Sequence, residues 1–417
     1  MKTAFVLFLL FTSVVCGVED SATSALRKAL LAEDAEAVRS TVAAGRASLG
    51  IRAGEPEVED KYLPVPGSEP RLSPADAQRG FSRDFGKLEQ MRWWKIGVDP
   101  TTLTAPLRAP ASVVSGCVAT VRAKLDGAGR SLAIAKDAAD FLLWAQQQAG
   151  TGLFPFPAAT GTSDARAMEV ATRFLRKAKA SGRINDVVRN GWAFEDLGDG
   201  GLQFDNAECG VAIFELYEVT RDARYLEAAR KSSDWAAARP LATNWNYNSF
   251  SVYLLAKAFV VTGERRYLEA ATKKALLGVI PGQLTEGPHA GRWMDPHNAR
   301  PAYHYIMVRG LAQLAGVMSA SDPARTEVLR ALKLALTTRN AEIIGKGVMN
   351  KDKAFEALLL VNQSFAKDSV FLGETHSDEA LDLLVRGVSA EARRGKFPLA
   401  PREWGLFLEY IVTRLSL

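Results

Sequence analysis

The chain has 417 residues, 47% hydrophobic and 24% charged, which allows two or three domains or one large helical domain with a sizeable core. Lys+Arg of 52 against Asp+Glu of 47 leaves +5, spread along the chain with no basic stripe, so a dedicated nucleic-acid binder is not indicated. Three cysteines exclude a disulfide framework, and Cys117 and Cys209 are expected as buried unpaired thiols.

At the N-terminus, Lys2 precedes an apolar run over residues 4–11, with small residues near Cys16 and Gly17. This is the pattern of a secretory signal peptide, residues 1–17, and is too short for a membrane span. A lipidated Cys16 is the alternative, but Ser13-Val14-Val15 suits it poorly. The expected location is secreted or periplasmic, without stable membrane insertion after cleavage, because no later run is long and apolar enough to span a bilayer. Residues 18–125 read as an N-terminal helical extension followed by a linker rich in proline (Pro56, Pro64, Pro66, Pro70 and Pro74).

From residue 130 the apolar positions recur with helical period. Helices are expected over residues 130–149, 164–181, 206–220, 222–238, 248–262, 264–279, 301–318, 323–339, 352–366, 376–394 and 402–415, with almost no strand pattern. A further helix near 113–125 would complete six hairpins. Residues 219–231 return as 261–273, a shift of 42 that carries Arg-Tyr-Leu-Glu-Ala-Ala with it and places Asn206 on Asn248. A helical pair cannot bury its apolar faces alone and must stack on neighbouring pairs. The tyrosine and leucine of the repeat are expected to lock the second helix of each pair against the first. Residues 126–417 are therefore expected to form an all-α closed ring of hairpins. Turns inside the pairs are short, whereas the connections between them are long and carry aromatic and polar residues, which predicts one functional end.

The segment Asn244-Trp245-Asn246-Tyr247-Asn248, followed by an apolar helix and the repeat at 262–271, resembles the six-hairpin (α/α)-toroid carbohydrate-active enzymes. Residues 138–143, Gln146 and Gly152-Leu153-Phe154-Pro155 are similar to the first hairpin of that group. The resemblance spans roughly residues 130 to 320. It implies the (α/α)6 toroid and a carbohydrate substrate, but neither a single family nor a catalytic residue. The adjacent Asp-Asp pair common in some of these hydrolases is absent.

Glycoside hydrolysis needs two carboxyl groups, and Asp205 and Asp295 stand best among Asp199, Asp205, Glu208, Glu286 and Asp295. The structural alternatives are a helix N-cap for Asp205, a turn residue for Asp295 and a surface glutamate for Glu208. β-Elimination from a uronate would instead use a Tyr or His base with carboxylate-neutralising partners. Asn246, Tyr247, Asn248, His297, Asn298, Arg300, Tyr303, His304 and Arg309 supply those types, and three of the four histidines fall between 289 and 304. Trp192, Trp245 and Trp293 are candidate sugar platforms, or packing that closes the connections onto the ring. No zinc-site spacing is present, and no metal or other cofactor is expected. A glycoside hydrolase is thus expected first. Polysaccharide lyase and non-catalytic helical-repeat glycan- or peptide-binding protein are the alternatives.

Overall fold

The structure, a computed structural model, describes residues 21–49, 69–90, 94, 99–100, 103, 105–158, 175–196, 200–294, 298, 300–347, 351–394 and 399–414. The expected signal peptide, most of the proline-rich linker and most of the expected helix at 164–181 lie outside these residues. No helix among the described residues is long and apolar enough to cross a membrane.

The helices are α1 (Ser21–Leu31), α2 (Ala35–Leu49), α3 (Pro74–Gln90), α4 (Arg108–Arg122), α5 (Ala128–Ala149) and α6 (Ile184–Val187). There follow α7 (Leu202–Thr220), α8 (Ala223–Ala238), α9 (Trp245–Thr262), α10 (Arg265–Gly278) and α11 (Pro301–Val317). The last are α12 (Pro323–Lys346), α13 (Lys351–Ser364), α14 (Ser369–Glu374), α15 (Ser377–Arg393) and α16 (Pro401–Arg414). Packing gives a closed circuit: α4 touches α7, α7 touches α9, then α11, α13 and α16 follow, and α16 returns to α4. Behind each inner helix lies an outer one: α5 behind α4, α8 behind α7, α10 behind α9, α12 behind α11 and α15 behind α13. The sixth pair is α16 with α3, the two ends of the described ring in sequence. The chain is an (α/α)6 toroid.

Two features differ from the sequence expectation. Besides α4, the helix expected near 113–125, the ring takes α3 from the stretch before residue 126, and the reason is geometric. α16 needs an outer partner, and Phe81 and Phe85 of α3 are buried in the common core. The connections before and after the helix expected at 164–181, where almost no strand was expected, share a small antiparallel sheet of β1 (Phe156–Pro157), β2 (Val188–Arg189) and β3 (Trp192–Ala193), in the order β1-β3-β2. Its hairpin turns at Asn190 and Gly191, with φ of 52° and 78°, and Asn-Gly is the pair best suited to such a left-handed turn.

The 42-residue repeat is explained by its bonds. Thr220 and Thr262 each donate to a carbonyl one turn back (Leu216 and Ala258, both 2.8 Å) and accept from the amide two residues on. The turn between them needs a left-handed residue, Arg221 at φ 58° in one copy and Gly263 at φ 71° in the other. The repeated tyrosines reach backward around the ring. Tyr225 of α8 donates to Asp140 of α5 (3.2 Å), and Tyr267 of α10 donates to Asp234 of α8 (2.8 Å). Through these hydroxyls the motif also fastens each outer helix to the preceding outer helix, while the tyrosine rings lie in the common core with Leu226 and Leu268 packed against it.

Candidate functional site at the ring mouth

Consecutive inner helices pair start with start. Arg108, the first residue of α4, donates to Asp205 in the first turn of α7 at 2.8 Å. The inner helices thus run parallel, and their N-terminal turns gather at one end.

Asp205 is not the N-cap of α7, a position held by Gly201. It is only 2% exposed, with Oδ2 held by Arg108 and Oδ1 without a hydrogen-bond partner. The Arg108 guanidinium lies 4.4 Å over the Phe204 ring, which stacks on Phe250 of α9 at 4.1 Å. Burial pushes the Asp205 carboxyl above its usual range; Arg108 opposes this, and Glu208 one turn along adds to the rise. Asp205 is therefore a buried acid that holds its proton to higher pH than an ordinary aspartate does.

Tyr303 in the first turn of α11 stands in the field of both Arg300 and Arg108. Burial raises its phenol against those two charges, so its neutral form is favoured. Arg300 caps α11, and its Nε and Nη1 are buried without a partner. Asn246, in the first turn of α9, donates through Nδ2 to Asn298 Oδ1 at 2.9 Å, and its own Oδ1 is unpartnered. That bond joins the Asn-Trp-Asn-Tyr-Asn segment to the Asp-Pro-His-Asn segment. Asp205 pairs with Arg108, Tyr303 stands in the field of Arg300 and Arg108, and the Asn246–Asn298 pair lies at the neighbouring helix starts. Asp295 and His297 lie outside the described residues.

Other sequence candidates turn away from the mouth. His304 is fully buried, its Nε2 bonds the carbonyl of Ala335 on α12 at 3.1 Å, and its ring packs edge-on against Trp293 and Tyr305. Burial, with Arg339 next, lowers its pKa well below the ordinary value, which leaves it neutral. Asn248 accepts from the Ala242 amide (2.9 Å) and donates to the carbonyls of Ala242 (2.8 Å) and Gly278 (2.7 Å). Asn206 does the parallel work, accepting from Phe154 (2.9 Å) and donating to Ser232 (3.0 Å). Asn206, Asn248 and His304 are thus one device on three inner helices, each tying an early turn to the outer helix of its pair. The three tryptophans are buried as well. Trp192 meets Trp144 edge-on, Trp245 backs onto Gly282, and Trp293 donates to the Val279 carbonyl at 2.8 Å. None offers a ring face as a sugar platform; each fills a gap where a connection meets the ring.

Beneath the mouth lies a feature the sequence reading did not assemble. Glu208 accepts from Arg309 Nη2 (2.6 Å), whose Nη1 donates to Glu356 (2.6 Å). Glu356 also accepts from Arg402 Nε (2.6 Å), and Arg402 reaches Ser115 (2.6 Å), Glu215 (3.1 Å) and the Tyr253 hydroxyl (2.9 Å). Lys353 pairs with Glu403 at 2.9 Å. All six inner helices contribute to this ionic chain. Its sequence signal is a lone charge within an apolar helical stretch, as with Glu215 in Ile213-Phe214-Glu215-Leu216 and Arg309 in Met307-Val308-Arg309-Gly310. Both thiols, Cys117 and Cys209, are buried and unpaired, and burial raises each. Among the described residues, no three His, Cys, Asp or Glu side chains gather as a metal site.

No family model and no curated protein matches the chain. Among solved structures it is similar to a polysaccharide lyase, with TM-score 0.48 and 12% identity over 83% of this chain and 98% of that one. It is similar to a glycosyl hydrolase of family 88 from Bacteroides vulgatus, with TM-score 0.47 and 10% identity over 83% of this chain and 99% of the other. A cellobiose 2-epimerase from Spirochaeta thermophila gives TM-score 0.47 and 14% identity, covering 94% of this chain and 99% of its own.

Proposed function

We propose that the protein is a carbohydrate-active enzyme that cleaves a glycosidic bond at the mouth of the ring, by hydrolysis, with Asp205 as the proton donor. The observation that carries this reading is the buried Asp205 carboxyl, fixed through one oxygen by Arg108 with the other unpartnered. A general acid must hold its proton near working pH and present it from a fixed position; burial shifts Asp205 toward the first condition and Arg108 supplies the second. Asp295 is the candidate for the second carboxyl. Arg300, half-buried with Nε and Nη1 buried and unpartnered, favours a sugar that carries a carboxylate, because such nitrogens gain most from an anion.

Elimination is the second reading, and Arg300 is the observation in its favour, as a group able to neutralise a uronate. Its bases are less well supported: Tyr303 is biased toward the phenol and His304 is turned to α12. The N-terminal segment supports a secreted or periplasmic location.

The test is a screen of the purified protein on neutral and uronic-acid polysaccharides, following reducing ends together with absorbance of an unsaturated product. Reducing ends alone are expected, on the acidic polymers. On the active polymer, Asp205→Asn should lower the rate by about 10²–10⁴ with an unchanged circular dichroism spectrum, the usual contribution of a positioned acid. Unsaturated product, or full activity in Asp205→Asn, would overturn the hydrolytic reading.

A further inference from the structure

We infer that Glu208 is a positioning residue, held ionised by the buried chain Arg309–Glu356–Arg402, and that its fixed charge keeps the proton on Asp205. The inference rests on the reading of Asp205 as proton donor. Glu208 follows Asp205 by three residues on α7, which puts the two side chains on one face with Cβ atoms about 5–6 Å apart. Both are buried, so little water screens the repulsion between them. Two carboxylates that close do not both ionise easily, and the protein decides which keeps the proton by where it places the cations.

Those cations favour Glu208. Arg309 of α11 donates to it at 2.6 Å, and Arg309 is itself only 1% exposed and shared with Glu356. Lys353 of α13 and Arg402 of α16 add attraction, and Glu356 of α13 opposes it. From α4, Arg108 faces Asp205 instead, and from α9, Tyr253 lies 4.2 Å beneath the Arg309 guanidinium. Burial alone would raise Glu208, but Arg309 foremost, then Lys353 and Arg402, outweigh it and hold the carboxylate below its ordinary range. Asp205 has the single, edge-placed Arg108 against burial and against Glu208, and moves the other way. Charges buried in the core are costly unless each finds a partner. Here every charge in the chain from Glu215 to Glu208 has one, and the last of them ends one helical turn from the acid.

The experiment is a side-chain ¹³C NMR titration of the full-length protein labelled at aspartate Cγ, with Asp205 assigned by its loss in Asp205→Asn. In Glu208→Gln the Asp205 midpoint should fall by about one pH unit or more, because the repelling charge is gone while the shape is kept. If Glu208→Gln folds poorly, Glu208→Gln combined with Arg309→Met removes the charge and its partner together, and the midpoint should again fall. An Asp205 midpoint that stays in place in the folded variants, with only the melting temperature lowered, would make Glu208 purely structural and overturn the inference. On whichever polymer the wild type cleaves, the alkaline limb of the rate profile should move with the midpoint. If the midpoint falls and the limb does not, the coupling stands and the assignment of Asp205 as proton donor fails.

Discussion

Asp205 and His304 both stand in the first turn of an inner helix, and both are polar residues next to an apolar run, yet they face opposite ways. Sequence pattern marks the turn at which polarity is tolerated but not which side of the helix it serves. At Asp205 the inward direction brings Arg108 and the mouth; at His304 the outward direction brings the Ala335 carbonyl. The concentration of histidines that suggested chemistry therefore includes a cross-link, and Tyr303, its neighbour, is the residue that meets the site charges. His304 should act on stability. His304→Ala is expected to lose about 2–4 kcal/mol, from a cavity and an unsatisfied carbonyl, with kcat per folded molecule little changed. The pH dependence follows from its lowered pKa. The unfolded chain takes up a proton below the ordinary value of 6.5 while the folded chain does not, so wild-type stability falls as pH drops through that value. His304→Asn cannot titrate, so between about pH 7.5 and pH 5 its melting temperature should fall less than that of the wild type. Equal slopes would mean that His304 is solvated rather than buried.

At the scale of elements, helix positions were legible because period and caps repeat: Asp222, Asn244 and Asp322 each cap the helix that follows. The 42-residue repeat gave the hairpin unit, and the Asn206–Asn248 correspondence pointed to a shared role. That role is to bond backbone groups of the outer helix of the pair and the connection beside it, which sequence cannot separate from ligand binding because both use amides near a helix start. Lys274 on α10 has the same kind of task. It is 1% exposed and donates to the Arg239 carbonyl just past α8 at 2.7 Å. Burial, with Lys273 adding repulsion, lowers its pKa to about 7. Below that value it is charged in both folded and unfolded chains, and the folded chain carries the cost of the buried charge. Between about 7 and the ordinary 10.5 the unfolded chain binds more protons, so its contribution to stability rises with pH. Lys274→Met lacks this term. The stability of the wild type relative to Lys274→Met should therefore increase steadily from pH 7 to pH 10 in urea titrations; a constant difference would place the ammonium in solvent.

For the whole molecule, apolar periodicity announced a ring but not how it closes, because closure joins α4 to α16 through bonds between residues 287 to 290 apart in sequence, with α3 added from before them. The ionic chain beneath the mouth was hidden for the same reason: its charges, two each on α7, α13 and α16 and one on α11, acquire meaning only when those helices converge. Closure depends on how near α4 and α16 approach. A Cβ on Gly116 would stand 2.1 Å from the Pro401 carbonyl oxygen, and one on Gly405 would stand 2.3 Å from the Gly116 carbonyl oxygen. Both obstacles are backbone, so no side chain can swing aside and α16 must move away from α4. That movement would strain the Arg402–Ser115 bond and the Arg122–Glu409 pair that span the seam at 2.6 and 2.7 Å. Gly116→Ala should therefore destabilise by at least the 1–3 kcal/mol or so of ordinary overpacking. Gly129→Ala on α5 is the control, since its Cβ would meet nothing within 4 Å and alanine gains up to about 1 kcal/mol of helix propensity. The same change is thus expected to lower the melting temperature at the seam and leave it level or higher on the outer wall. If the two variants melt alike, α4 and α16 do not close the ring.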